Sequence, residues 1–246
     1  MEKQNEQTKE EVLISSGNDV DVADMMKAGV HFGRKRSATN PKMKQYSFTV
    51  RNDIHVIDLD KTKEKLSIAS DFLKNIVKNN GVVLFVGTRP QLKNLVKEAA
   101  ISCQMPYATE RWLGGTLTNW KEISGRLNYF LDLESKKNSG GLDKYTKHEQ
   151  LKFSQEIERM SIVFDGLRTL KKIPEVVFVA DAATNTATLL EAKKLGIPAV
   201  AIADMNANPD LINYLIPANS DGISSVKFIL DKISKAISEV KKVGAK

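Results

Sequence analysis

Val176-Val-Phe-Val-Ala180 is five apolar residues long with no polar residue among them, three of them β-branched. A strand with one wet face alternates apolar and polar side chains, so an unbroken run of this length suits a strand buried on both faces of a parallel sheet. Val82–Val86, Ile54–Leu59 and Ala199–Ala203 have the same character. Amphipathic segments lie between or after them, at Thr62–Asn79, Pro90–Cys103, Thr186–Leu195 and Ile223–Val240. Pro106-Tyr107 and Leu215-Ile216 are candidates for further short strands, and Val20–Ala28 for a short leading helix stopped by Gly29. Strand and helix in alternation predict an α/β fold with an open, doubly wound parallel sheet.

The alternation stops between Trp120 and Leu170, a region of about fifty residues with no strand signal. Trp120, Ile123, Leu127 and Phe130, and then Phe153, Ile157, Met160, Phe164 and Leu167, recur at steps of three and four. This spacing predicts two helices joined along an apolar seam, with a polar turn at Ser135–Lys144 around Ser139-Gly140-Gly141. The expected organisation is an acidic, unstructured tail over 1–18, an α/β domain built from 19–119 and 171–246, and a helical hairpin inserted over 120–170.

The apolar share of 41% and charged share of 27% are those of an ordinary globular chain. No run approaches the roughly 20 apolar residues needed to cross a bilayer, and Met-Glu-Lys-Gln-Asn-Glu-Gln has neither the basic start nor the apolar core of a secretory signal. A cytoplasmic protein without a membrane partner is expected. Cys103 is the single cysteine, and His31, His55 and His148 are scattered, so neither an intramolecular disulfide nor a metal site is expected.

The net charge of +7 is unevenly distributed. The first twenty residues carry two lysines against five acids, a balance of −3, which leaves about +10 for the remainder. Between Asp24 and Asp53 there is no acid at all, while Lys27, Arg34, Lys35, Arg36, Lys42, Lys44 and Arg51 supply seven bases interleaved with His31, Phe32, Tyr46 and Phe48. Solvated surfaces normally mix charge signs. Uncompensated cations beside aromatic faces suit nucleic acid, because lysine and arginine displace condensed counterions while rings stack on bases.

Arg111-Trp-Leu-Gly-Gly-Thr-Leu-Thr-Asn-Trp120 joins two indoles, a guanidinium and a glycine pair with no nucleophile set beside a base, a composition for holding rather than reacting. Arg111 offers a cation to phosphate. Gly114 and Gly115 permit close backbone approach, Thr118 or Asn119 can cap the following helix, and Trp112 with the glycines can equally pin the junction into the hairpin. A nucleotide-dependent enzyme is the competing reading, since Asp58, Asp60, Asp181 and Asp204 fall at strand C-terminal ends. The turn Gly87-Thr-Arg-Pro-Gln91 has one glycine, however, and no phosphate-binding Gly-x-x-x-x-Gly-Lys-Ser/Thr loop exists. His55 reads as a packed residue, and no catalytic residue and no cofactor is expected. A free RNA-binding regulator is the third reading.

Ala28-Gly-Val-His-Phe-Gly33, Asn40-Pro-Lys-Met-Lys44, Arg51-Asn52, Ile54-His-Val-Ile-Asp58, Val83-Leu-Phe-Val-Gly-Thr88, Arg111–Trp120, Lys194-Leu-Gly-Ile-Pro198 and Asn208-Pro-Asp210 follow one another in register. In that order and spacing they resemble the bacterial ribosomal protein S-two family of the small subunit, over about residues 20–240. The resemblance implies a flavodoxin-like α/β domain with a coiled-coil hairpin inserted in it. It also implies a structural, non-catalytic constituent of the small ribosomal subunit that binds ribosomal RNA, contacts neighbouring ribosomal proteins and helps to recruit ribosomal protein S-one. Arg34 stands where the family typically has a second histidine, Thr39 where an aromatic precedes Asn40-Pro41, and Asp53 where glycine is common. The residues expected to touch RNA are Arg34, Lys35, Arg36, Lys42, Lys44, Arg51 and Arg111.

Overall fold

A computed structural model describes residues 21–244. The stretch 1–18, expected to lack structure, lies outside the described residues. Five strands form a wholly parallel sheet: β4 (Val83–Val86), β5 (Tyr107–Ala108), β6 (Val176–Val179), β7 (Ala199–Ala203) and β8 (Tyr214–Pro217). Their spatial order is β5-β4-β6-β7-β8. Renumbered along the sheet this is 2-1-3-4-5, the flavodoxin-like winding, whose direction reverses between β4 and β6.

The unbroken apolar runs have a simple cause. Val83, Phe85, Val176, Phe178, Val200, Ile202 and Ile216 enter one core, while Leu84, Val86, Val177, Val179, Ala199, Ala201 and Leu215 enter another on the opposite face. Side chains that alternate between two dry faces leave no position for a polar residue. The first core is closed by α2 (Leu59–Lys78), α3 (Lys93–Ser102) and α7 (Ile223–Gly244), the second by α4 (Trp120–Asn138), α5 (Lys147–Phe164) and α6 (Thr186–Leu195).

The expected seam between α4 and α5 is present. Ile123, Leu127, Phe130, Ile157, Phe164 and Leu167 are buried in the second core, with Phe153 and Met160 half-buried against it. The Phe130 and Phe164 rings lie 6.4 Å apart, and the Arg168 guanidinium sits 4.9 Å from the Phe130 centroid while its nitrogens bind Glu134. Thr146 and Glu149 start α5 with a reciprocal capping box. The turn at the tip is shorter than expected: α4 continues through Asn138, and Gly140, at φ +73°, follows.

Ile54–Leu59 departs from its expected place. Ile54–Ile57 is β3 of a separate antiparallel sheet, and Leu59 already belongs to α2, whose first turn is capped by the Asp58 carboxylate through Asp60 N–H and Lys61 N–H. The preceding segment, read from the sequence as bases interleaved with aromatics, supplies β1 (Phe32–Lys35), short 3-10 turns at Arg36–Ala38 and Pro41–Tyr46, and β2 (Ser47–Arg51). The order is β1-β3-β2. Parallel strands need a crossover of a dozen or more residues, and two residues separate β2 from β3. Those two, Asn52 and Asp53, have φ of 50° and 61°, the left-handed pair of a type I′ hairpin turn. A short helix α1 (Val22–Lys27) leads into β1 and is capped by Asp21, with Gly29 at φ +73° after its end.

Candidate nucleic-acid interface

Strand pairing sorts the basic residues before contacts need to be considered. In the small sheet Ile54 of β3 is opposed by Lys35 of β1 on one side and Arg51 of β2 on the other, while Val56 is opposed by Phe32 and Thr49. Residues directly opposite share a face, as do residues two apart on one strand. Phe32, Lys35, Thr49, Arg51, Ile54 and Val56 therefore form one surface. His55 and Ile57 point the other way and are buried, with the His55 Nδ1 2.8 Å from the Ser47 hydroxyl. His55 is a packed residue, as its position within a strand suggested.

The outward surface is basic and apolar together. Phe32 is 56% exposed and Ile54 37%, and Phe48, in the irregular pairing between Ser47 and Thr49, is 75% exposed. Lys35 and Arg51 stand exposed beside them, Arg36 and Lys44 project from the adjoining 3-10 turns, and none of the four has an ion pair among the described residues. The Asn40 side chain accepts from Lys42 N–H and so shapes the second turn.

Arg34 and Lys42 are placed differently. Arg34 turns toward the large sheet, its Nε 3.1 Å from Asp204 and its Nη2 2.5 Å from Asp221. Lys42 pairs with Asp210. The small sheet is fastened at the same boundary by Asn40 N–H donating to the Met205 carbonyl at 2.8 Å and Asn219 N–H donating to Val30 at 3.1 Å. A Cβ on Gly33 would come within 2.7 Å of the His55 carbonyl and 3.0 Å of Met205, so this approach requires glycine.

That boundary is the crevice at the strand C-terminal ends where flavodoxin-like folds hold ligands. Protein groups occupy it. Arg89 reaches Asp181 at 3.5 Å, pairs with Asp221 and donates to the Ser220 carbonyl at 3.1 Å, and Thr88 donates to Asn185 at 2.9 Å. Three of the four carboxylates considered as catalytic candidates have structural partners: Asp58 caps a helix, Asp181 accepts from the Thr184 hydroxyl and Ala183 N–H, and Asp204 accepts from Arg34 and Met205 N–H, while Asp60 is exposed in the first turn of α2. Burial pushes the Asp204 carboxyl up to about 6 despite the Met205 N–H and Arg34, with Asp221 and Asp181 adding repulsion.

The decapeptide holds a residue of its own chain. The Glu191 carboxylate on α6 accepts from Trp112 Nε1 at 3.0 Å, Gly115 N–H at 2.9 Å, Leu117 N–H at 3.0 Å, Thr118 N–H at 3.2 Å and the Thr118 hydroxyl at 3.2 Å. Burial opposes ionisation of Glu191, but these donors outweigh it and hold the carboxyl below the usual range. The expected cap is absent, since Asn119 occupies the N-cap position without a side-chain hydrogen bond and Thr118 is turned to Glu191. The two glycines are also unlike. Gly115 has φ +90°, and a Cβ there would meet the Asn119 Cβ at 3.2 Å, whereas a Cβ on Gly114 would meet nothing within 4 Å. Arg111 is exposed and without an ion pair among the described residues, apart from the small sheet in sequence. Glu191 was missed by sequence reasoning: a lone glutamate in an amphipathic helix gives no local sign of a partner more than seventy positions away.

The described residues contain no cluster of three or more metal-ligating side chains, and no described helix is long and apolar enough to cross a membrane.

Comparison with known proteins bears on the whole chain. Residues 25–240 match the family model described as Ribosomal protein S2. The chain is 45% identical over 215 residues to the small ribosomal subunit protein uS2 of Dictyoglomus turgidum, covering 87% of each protein. It is 40% identical over 222 residues to that of Idiomarina loihiensis, covering 90% of this chain and 92% of the relative. It is also 41% identical over 220 residues to uS2c of Cyanophora paradoxa, covering 89% and 94%. Matched along most of its length by the family model and by these relatives, the chain belongs to the ribosomal protein S2 family of structural, non-enzymatic components of the ribosome.

Proposed function

We propose that the chain is built into the small ribosomal subunit, where the outward face of its β1-β3-β2 sheet binds ribosomal RNA. The observation that carries this reading is Lys35 and Arg51 flanking exposed Ile54 in register, uncompensated by acid, with Arg36 and Lys44 alongside. Such a face places cations on phosphates and apolar surface on ribose or unstacked bases, so shape rather than base sequence sets its preference. Arg111 supplies a separate phosphate contact. Arg34 and Lys42 act in this reading mainly through their carboxylate partners, orienting the strand and turn that carry the free cations.

The division of labour follows the expected boundaries: 19–119 with 171–246 as scaffold, and 120–170 as an inserted hairpin meeting a neighbouring RNA or protein. Ribosomal protein S-one is included as a protein neighbour whose recruitment the chain supports, on the strength of family resemblance.

The test is the salt dependence of binding to small-subunit ribosomal RNA. Replacing Lys35, Arg36, Lys44 and Arg51 together by alanine is expected to lower the slope of log K against log salt by about 3, near 0.7–0.9 per lost phosphate contact. An unchanged slope in a folded variant would reject this face as the RNA contact. Sedimentation of the tagged chain through a sucrose gradient checks the larger claim, with co-migration at the small-subunit position expected.

A further inference from the structure

No described residue covers the apolar surface on the outward face of the small sheet. Phe32 and Ile54 lie exposed on that face, with Phe48 beside them at the irregularity in β2. Apolar surface gathered in this way marks a contact site or an aggregation hazard. The four cations around it, without an ion pair among the described residues, would in addition attract any polyanion, whether the correct one or not.

The chain carries a segment of complementary character close by. Glu10-Glu11-Val12-Leu13-Ile14 sets two acids before three large apolar residues, in a stretch whose balance is −3. Six residues separate Ile14 from Asp21, the N-cap of α1, and four residues separate the end of α1 from β1. Six extended residues span about 20 Å, enough to return a segment from the start of a six-residue helix to the sheet that follows it. The short tether also gives a high effective concentration, so weak complementarity suffices.

We infer that Glu10–Ile14 docks on the outward face of the β1-β3-β2 sheet in the free protein, its acids on Lys35, Arg51, Arg36 or Lys44 and its apolar residues on Phe32 and Ile54. The tail then acts as an intramolecular stand-in for a polyanion and is displaced when the real one arrives. The docking stands on the geometry of the face, and the displacement rests on the proposed RNA reading.

The two are separable by experiment on the full chain. A nitroxide on Leu13→Cys, with the buried Cys103 unreactive, should broaden the amides of Phe32, Lys35, Arg51 and Ile54 in the free protein and spare those of Lys78 and Asn79 at the far end of α2. Glu10→Lys with Glu11→Lys should abolish the effect, as should high salt. No selective broadening, or broadening centred elsewhere on the surface, overturns the docking. Affinity for a small-subunit ribosomal RNA transcript gives the second arm: deletion of residues 2–18 should raise it 3- to 10-fold at low salt. Selective broadening with unchanged RNA affinity keeps the docking and overturns the RNA assignment of the face.

Discussion

Substitution of Glu191 is the sharpest test of how the decapeptide is held. Glu191→Ala removes one acceptor group from five donors at once. Thr118 is exposed, so its two donors pass to water at little cost. Leu117 is buried, while Trp112 and Gly115 are half-buried. An unsatisfied buried donor costs about 1–3 kcal/mol, and the lower half of that range applies where water has partial access, giving about 3–7 kcal/mol for the three. Glu191→Gln keeps one acceptor oxygen but turns an amide NH2 toward an N–H, and should cost about 2 kcal/mol. Urea unfolding followed by circular dichroism reads both values, with an unchanged m-value showing that the unfolded state is not altered. The carboxyl sits below its ordinary range, so its stabilisation is present above the unfolded value near pH 4.3 and lost as pH falls through the folded value. A loss under about 1 kcal/mol for Glu191→Ala, or equal losses for the two variants, would refute the reasoning.

Three further outcomes follow from the geometry. Gly115→Ala should destabilise by about 1–2 kcal/mol because its φ is strained for any L side chain, while Gly114→Ala should change stability by less than about 0.5 kcal/mol; equal melting shifts would contradict the difference in their surroundings. Asp204 has the opposite pH sign to Glu191: its folded value of about 6 lies above the ordinary one, so the folded state binds the extra proton and stability falls as pH rises from about 4 to 6. The stability of the wild type minus that of Asp204→Asn should therefore drop by up to about 3 kcal/mol over that window, and a flat difference in parallel urea titrations would exclude the effect. Phe130 is fully buried between the hairpin seam and the sheet, and Phe130→Ala should cost about 3–5 kcal/mol by chemical denaturation, whereas a helix pair standing clear of the core would lose far less.

The parallel sheet and the helix pair were legible because their causes are local and repetitive. Val83–Val86 and Val176–Val179 lack polar residues because both faces are dry, and Ile123, Leu127 and Phe130 keep the helical step because they share one seam. The antiparallel sheet was not legible. Its hairpin turn uses Asn52-Asp53 without the glycine that signals such turns, and β1 and β2 carry basic and aromatic residues that read as loop. The composition of the candidate interface was readable as uncompensated charge between Asp24 and Asp53, but its division was not. Nothing local distinguishes Arg34 from Lys35. Only the irregularity in β1 that aims Arg34 at Asp204 and leaves Lys35 opposite Ile54 separates an anchor from a free cation. The same limit hid Glu191, whose role depends on where α6 packs.

The clasp between the small sheet and the crevice has a consequence for how the molecule is made. Arg34 finds Asp204 at a separation of 170 residues and Asp221 at 187, and Asn219 meets Gly29 at 190. A chain emerging from its N-terminus releases the basic strands first and their fasteners last. Until Asp204 and then Asp221 are free to fold, Arg34 lacks the carboxylates that hold it, and the clasp that joins the small sheet to the crevice is incomplete. A chain ending before residue 204 would therefore carry the basic strands without any of the carboxylates that fasten Arg34.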